Sequence, residues 1–174
     1  MIKKNKKKSI LFWITGLSGA GKTSLANSIK NEIINQYGPT LVVNGDDLRK
    51  IFLLKKYDQN SRLEYGKQYS KFAKFITDQN INLIFTIVGM FNELRQWNKK
   101  NIRNYVEIFI KANVSKIKKK RKKKLYFKNN KNIVGIEIKP QFPKNPNIII
   151  NNNFKKNIKE LSQSLSKKIS ILNK

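Results

Sequence analysis

The chain contains no cysteine and no histidine, and only 10 of its 174 residues are Asp or Glu. Without cysteine, disulfides, thiolate metal sites and thiol catalysis are excluded. Without histidine, every mechanism built on an imidazole base or ligand is excluded as well. Any proton acceptor must come from ten carboxylates, water or a neutral lysine. No stretch reaches the roughly 18 to 20 apolar residues needed to span a bilayer. What is present is enough for one domain with a single sizeable core. Hydrophobic residues make up 39% of the chain, too many for a disordered polyelectrolyte.

Scarce acid against 38 Lys plus Arg leaves a formal net charge of +28. Such an excess invites a nucleic-acid reading, because cations that neutralise phosphates give salt-sensitive affinity for any sequence. Its make-up argues otherwise. There are 33 Lys but 5 Arg, beside 23 Asn and 24 Ile. Arginine is the residue suited to bidentate phosphate and base-edge contacts. Lys, Asn and Ile are the residues with AT-rich codons, so a genome-wide base bias yields this profile with no selection for binding. No specific nucleic-acid partner is expected, although the basic surface would concentrate anionic ligands.

Residues 1–8 (MIKKNKKK) followed by the apolar run 9–15 superficially copy the start of a signal peptide. The run gives way to Gly16, Gly19, Gly21 and then the charged Lys22, which does not suit such a segment. The expectation is a soluble, cytoplasmic protein: a basic tail at 1–8 and one domain over 9–174. Continuous apolar, β-branched runs at 10–15, 40–43, 83–88, 106–110 and 147–150 read as strands buried on both faces of a parallel sheet. Helical patterns lie between them at about 22–36, 61–78, 93–103 and 115–123. Phe154, Ile158, Leu161, Leu165, Ile169 and Leu172 recur at steps of three and four, which predicts a terminal amphipathic helix. The alternation predicts an α/β fold of three layers around a mainly parallel five-stranded sheet. Residues 126–146 lack periodicity, contain three prolines and read as a loop-rich part of a lid, about 116–146.

Residues 16–23 (GLSGAGKT) match G-x-x-x-x-G-K-[ST] in full, with a strand before and a helix after. This is the phosphate loop of P-loop nucleoside triphosphate hydrolase-type folds. Glycines at these places let successive N–H groups point inward as an anion nest at a helix N-terminus. Gly16, Ser18, Gly19, Ala20, Gly21, Lys22, Thr23 and Ser24 are therefore candidate ligands of the ATP phosphates. Lys22 reaches the terminal phosphates and the Thr23 hydroxyl is a candidate Mg²⁺ ligand.

The second strand runs into Asn44-Gly45-Asp46-Asp47-Leu48-Arg49 at the sheet edge where α/β folds bind ligands. A carboxylate there can orient an acceptor hydroxyl, take its proton, or hold Mg²⁺ through water. Asp46 or Asp47 could equally cap a helix beginning near Leu48. The third strand ends in Gly89 and Met90 without an acid, which puts the weight on Asp46 as catalytic base and second metal ligand.

The segments FWITGLSGAGKTSLANSI, NGDDLR, SRLEYGKQYSKFAKFI and NIVGIEI…PKNP resemble the adenylylsulfate (APS) kinase family over residues 12–151. That family uses MgATP to phosphorylate the ribose 3′-hydroxyl of adenylylsulfate, and its members are commonly dimeric, so a homodimer is an expectation from the resemblance. The second acid of the family's D-G-D-N-x-R segment is its catalytic carboxylate and maps onto Asp46. The arginine of that segment maps onto Arg49, and that of D-R-x-E-N-I-R-R onto Arg62; both are expected to hold the substrate's anionic group. An aromatic that stacks on the substrate base maps onto Tyr57.

The chain departs from the family at several of these places. Asn44 and Asp47 stand where the family has Asp and Asn, and Tyr65 stands where it has a substrate-contacting Asn. Ile133 replaces a second aromatic facing the substrate base, and one face of such a clamp is worth about 0.5 to 1.5 kcal/mol beyond area burial. Residues 89–98 (GMFNELRQWN) look more like a divergent branch that includes a cytidine diphosphoramidate kinase, which also acts on a ribose 3′-hydroxyl. Residues 116–124 hold seven Lys and one Arg. Most of that run reads as a solvated helix face, with Lys120 and Lys123 placed by the resemblance near the ATP phosphates. Trp13 reads as core, Trp97 as packing near the acceptor side, and Phe72, Phe75 and Ile76 as core spacing on the long helix.

Overall fold

In a computed structural model that describes residues 9–121 and 132–172, five strands form one sheet in the order β2-β3-β1-β4-β5. They are β1 (Leu11–Gly16), β2 (Thr40–Asn44), β3 (Asn82–Ile87), β4 (Tyr105–Lys111) and β5 (Ile148–Asn151). Every neighbouring pair is parallel. The helices are α1 (Lys22–Tyr37), α2 (Gly45–Ile51), α3 (Gln59–Asp78), α4 (Asn92–Asn101), α5 (Val114–Arg121) and α6 (Ile158–Ile171). The expected strands and helices are present among the described residues, with ends that move by up to four residues; the end of the helix expected at about 115–123 lies outside them.

Why β1 sits in the middle follows from its residues. All six are buried, because odd positions pack on one face and even positions on the other. Phe12 and Ile14 pack against Leu25, Ile29 and Ile33 of α1 and Leu161, Leu165 and Ile169 of α6. Leu11 and Trp13 pack on the opposite face with Phe85, Tyr69 and Ala73, and Trp13 stacks on Phe85 with centroids 4.9 Å apart. The sheet therefore lies between two helical layers. A third cluster, Leu17, Met90, Phe109, Ile117, Ile133, Val134 and Ile138, closes the carboxyl edge of the sheet.

Three sequence expectations need correction. The helix after β2 begins at Gly45 rather than near Leu48, so Asp46 and Asp47 occupy its first turn and Asn44 takes the N-cap position. Acids in a first turn still favour the helix through the partial positive charge of its N-terminus. Phe75 is 60% exposed, because the buried stripe of α3 runs through Gly66, Tyr69, Ala73 and Thr77 and leaves Phe75 on the far side; Phe72 and Ile76 flank the core. Of the terminal repeat, Leu161, Leu165 and Ile169 are buried, whereas Ile158 and Leu172 are exposed and Phe154 precedes the helix.

The helix ends are set locally. Asp58 caps α3 by accepting from the Ser61 N–H at 2.9 Å, and Asn157 and Glu160 form a reciprocal capping box on α6. Residues 132–147 contain one isolated bridge, Val134 to Ile138, and otherwise run without regular structure. The basic tail at 1–8, the lid portion 122–131 and Lys123 lie outside the described residues.

Candidate active site

The loop between β1 and α1 is built by close backbone approach. A Cβ on Gly16 would stand 2.7 Å from the Ile110 carbonyl of β4, so any larger residue would push the strand off its neighbour. Gly21, at the N-cap of α1, has φ +99°, a region where L side chains are strained. Lys22 is buried, and its Nζ donates to the carbonyls of Gly16 and Leu17, each at 2.9 Å. From the end of β5, buried Asn152 donates to the Ala20 carbonyl at 2.9 Å while accepting from the Phe154 N–H. The loop is thus tied down from outside as well as within.

A cleft of about 240 Å³ opens beside it, lined by Gly19, Gly21, Lys22, Thr23, Asp46, Arg49, Tyr57, Arg62, Tyr65, Phe91 and Val134 among others. A wider hollow of about 950 Å³ adjoins, lined by Lys50, Leu53, Leu54, Lys55, Asn132 and Ile133. Ser18, Asp46, Arg49, Tyr57, Arg62, Val88 and Val134 line both. Asp46 is the one carboxylate on either wall among the described residues. On the other side of the loop, Gly21, Ser24, Lys120, Asn152 and Asn157 border a third hollow of about 440 Å³.

The two arginines are rigidly held. Arg49 lies over the Tyr57 ring at 4.1 Å and the Tyr65 ring at 5.0 Å, and its Nη1 donates to the carbonyls of Leu54 and Lys56. Arg62 Nε donates to the Tyr57 carbonyl at 2.6 Å and Nη2 to the Asn132 carbonyl at 3.0 Å. Burial, then the charge of Arg49, lower the Arg62 pKa from its usual value. Across the cleft, Asn44 Oδ1 accepts from Thr86 Oγ1 at 2.7 Å and its Nδ2 donates to Asp47 Oδ2 at 2.8 Å, fixing the first turn of α2 that carries Asp46.

Residues 8–151 match the family model for adenylylsulphate kinase. The chain belongs to the adenylylsulfate kinase family. It is 33% identical to a cytidine diphosphoramidate kinase of Campylobacter jejuni, over 92% of this chain and 96% of that one. It is 28% identical to an adenylyl-sulfate kinase of Pseudomonas aeruginosa, over 80% of this chain and 75% of the other. The fold superimposes on the Mycobacterium tuberculosis APS kinase in complex with AMPPNP and APS with a TM-score of 0.82, at 23% identity and covering 94% and 98% of the two chains. The protein is an ATP-dependent P-loop kinase of nucleotide-kinase type.

Against this family background, the structure brings Gly19, Gly21, Lys22, Thr23, Asp46, Arg49, Tyr57 and Arg62 onto one cleft. Ser18 and Ser24 line it too, while Gly16 and Ala20 serve as backbone partners of Lys22 and Asn152. Lys120 stands on the other side of the loop, in the third hollow. Ile133 borders the wide hollow but is only 5% exposed, packed into the edge cluster rather than offered as a stacking surface. Trp97 lines neither cleft and packs on the sheet core. Sequence reading missed Asn152, whose signal was an asparagine directly after a strand at the ligand edge, lost among three consecutive asparagines. It also missed Phe91, Tyr69 and Val134 as cleft walls.

Among the described residues no helix is long and apolar enough to cross a membrane. Nor do they hold any group of three or more acids that could bind a metal. Thr23, which carries a hydroxyl, and Asp46, which carries a carboxylate, both line the first cleft. That sparse set fits Mg²⁺, which keeps several waters and relies on substrate phosphates rather than an all-protein cage.

Proposed function

We propose that the protein transfers the γ-phosphoryl group of ATP to the ribose 3′-hydroxyl of a cytidine diphosphoramidate-type nucleotide conjugate. The observation that carries this reading is the place of Asp46, the sole carboxylate among the described residues where the phosphate-loop cleft and the wide hollow meet. A hydroxyl presented from the hollow to a phosphate on the loop would have to pass it. The acceptor chemistry is drawn from the Campylobacter jejuni relative, the more similar of the two kinases compared. Adenylylsulfate is the second reading, favoured by the family match itself.

In this reading Lys22 and the loop amides bind the ATP phosphates, and the third hollow takes the ATP base with Lys120 at its rim. Thr23 and Asp46 would hold Mg²⁺, which neutralises charge on the phosphates when bound. Arg49 and Arg62 hold the acceptor's anionic group, and Tyr57 meets its base. Arg49 and Arg62 both lie over the Tyr57 ring, at 4.1 and 5.2 Å from its centroid, so the base meets the exposed part of the ring or stacks against a guanidinium. Among the described residues, the cleft wall sets Arg49 and Arg62 against one carboxylate, which suits an acceptor bearing a diphosphate-like charge. The hydroxyl oxygen forms a bond to the γ-phosphorus, the bond to the bridging oxygen breaks, and the proton passes to Asp46. Positioning and electrostatics supply most of this catalysis, so a site without histidine suffices. Of the expected lid, the described residues Ile133 and Val134 wall the acceptor side and Lys120 borders the third hollow.

The test is ³¹P NMR of the purified protein with MgATP and each acceptor. The expected product is a new phosphomonoester coupled to the ribose H3′. Absence of that product with the cytidine conjugate would contradict the reading, and its formation with adenylylsulfate alone would favour the second one.

A further inference from the structure

Arg95 lies outside both clefts, yet it grips one end of a segment that lines them. It is 6% exposed on α4. Its Nε stands 3.2 Å from Glu107 Oε1 of β4, and its Nη2 donates to Asn92 Oδ1 and, at 2.6 Å, to the Gln141 carbonyl. Gln141 is joined twice more. Its N–H donates to the Met90 carbonyl at 3.0 Å, and its Oε1 accepts from the Asn92 N–H at 2.7 Å.

At the other end of this segment, Arg62 donates to the Asn132 carbonyl. Residues 132–141 are therefore held at both ends by an arginine, and between the two grips Ile133 and Val134 wall the clefts. The turn that Gln141 grips, Met90 to Asn92, also carries the wall residue Phe91. A guanidinium donates in fixed directions from several nitrogens at once, so one buried arginine can set the relative place of three chain segments.

We infer that Arg95 is a positioning residue for the acceptor, fixing the Phe91 and Val134 walls through Gln141 without touching substrate. This rests on the acceptor reading of the cleft given above. The ion pair with Glu107 alone would need only a charge. What the guanidinium adds is reach toward β4 and toward Gln141 together. A lysine at this position keeps the charge opposite Glu107 but has a single nitrogen and cannot serve both sides.

The experiment compares Arg95→Lys, Gln141→Ala and the double variant with the wild type. Its readouts are steady-state kinetics in ATP and in acceptor, with amide hydrogen exchange of the ADP-bound protein. Arg95→Lys should stay folded, with the KM for ATP within twofold of wild type, kcat within about threefold, and the acceptor KM raised about tenfold. Gln141→Ala should move the acceptor KM in the same direction, and the double variant should be no worse than the worse single one. Exchange across 133–138 should rise while that of α1 stays at the wild-type level. An active wild type with Arg95→Lys leaving the acceptor KM within twofold would overturn the positioning role. A wild type inactive on every nucleotide acceptor would remove the acceptor reading and leave the grip itself to the exchange measurement, where unchanged protection at 133–138 overturns it.

Discussion

The side-chain amide of Asn44 donates to the Asp47 carboxylate at 2.8 Å, with Asn44 held from behind by Thr86 of β3. In the family's D-G-D-N pattern the acid and the amide stand in the opposite order. The exchange keeps one amide and one carboxylate facing each other across the first turn of α2, so the turn that presents Asp46 survives it.

That complementarity predicts the behaviour of a pair of substitutions. Asn44→Asp alone sets two carboxylates at hydrogen-bond distance and should lower both the thermal midpoint and kcat/KM. Adding Asp47→Asn restores one donor facing one acceptor. The double variant should recover most of both losses, with a coupling energy of about 1 kcal/mol in a double-mutant cycle.

Asp46→Asn should lower kcat by about 10²- to 10⁴-fold, the usual worth of a general base, while the ATP dissociation constant changes by less than about threefold. Lys22→Ala should abolish turnover and weaken ATP binding as well, since Nζ also bonds the Gly16 and Leu17 carbonyls. Rapid-quench kinetics paired with nucleotide titration separates the two effects. Near-normal kcat in Asp46→Asn would contradict its role.

Much of this site was legible from the chain. The phosphate loop carries its glycines at required spacings and sits between a buried strand and a helix, so local chemistry and topology agreed. The β-branched runs gave the parallel sheet for the same reason, since strands buried on both faces need no alternation. What escaped were contacts between residues far apart in sequence. Asn152 meets Ala20 across 132 positions, and Arg62 meets Asn132 across 70. Nothing periodic marks either. The start of α2 was misplaced because Gly45 weakens the helical signal where Asn44, anchored by Thr86, begins the helix.

Asn152→Ala would remove the side-chain donor to the buried Ala20 carbonyl and the acceptor of the Phe154 N–H, at a cost of about 1 to 3 kcal/mol. Because the Ala20 carbonyl belongs to the phosphate loop, the KM for ATP should rise severalfold while the acceptor KM holds. Denaturant unfolding and two-substrate kinetics check the two parts separately.

Burial raises the Glu107 carboxyl to about 7, only partly offset by Arg95 and then Lys99. A folded-state value above the unfolded one means the native protein binds this proton more tightly. The stability it contributes is fully present below about pH 4.5 and is lost as pH rises through about 7. The loss is on the order of 3 kcal/mol. Glu107→Gln removes that titration, so its unfolding free energy relative to wild type should improve between pH 5 and about pH 8. Parallel curves for the two proteins over that window would contradict the assignment.

The most direct test of the account is the ratio of kcat/KM for cytidine diphosphoramidate to that for adenylylsulfate, measured with MgATP by ADP release. Changed acceptor residues behind a complete phosphate loop predict a ratio above about ten, corresponding to about 1.4 kcal/mol of differential transition-state binding. A ratio below one, with adenylylsulfate turned over at a higher kcat/KM, would contradict the proposed acceptor.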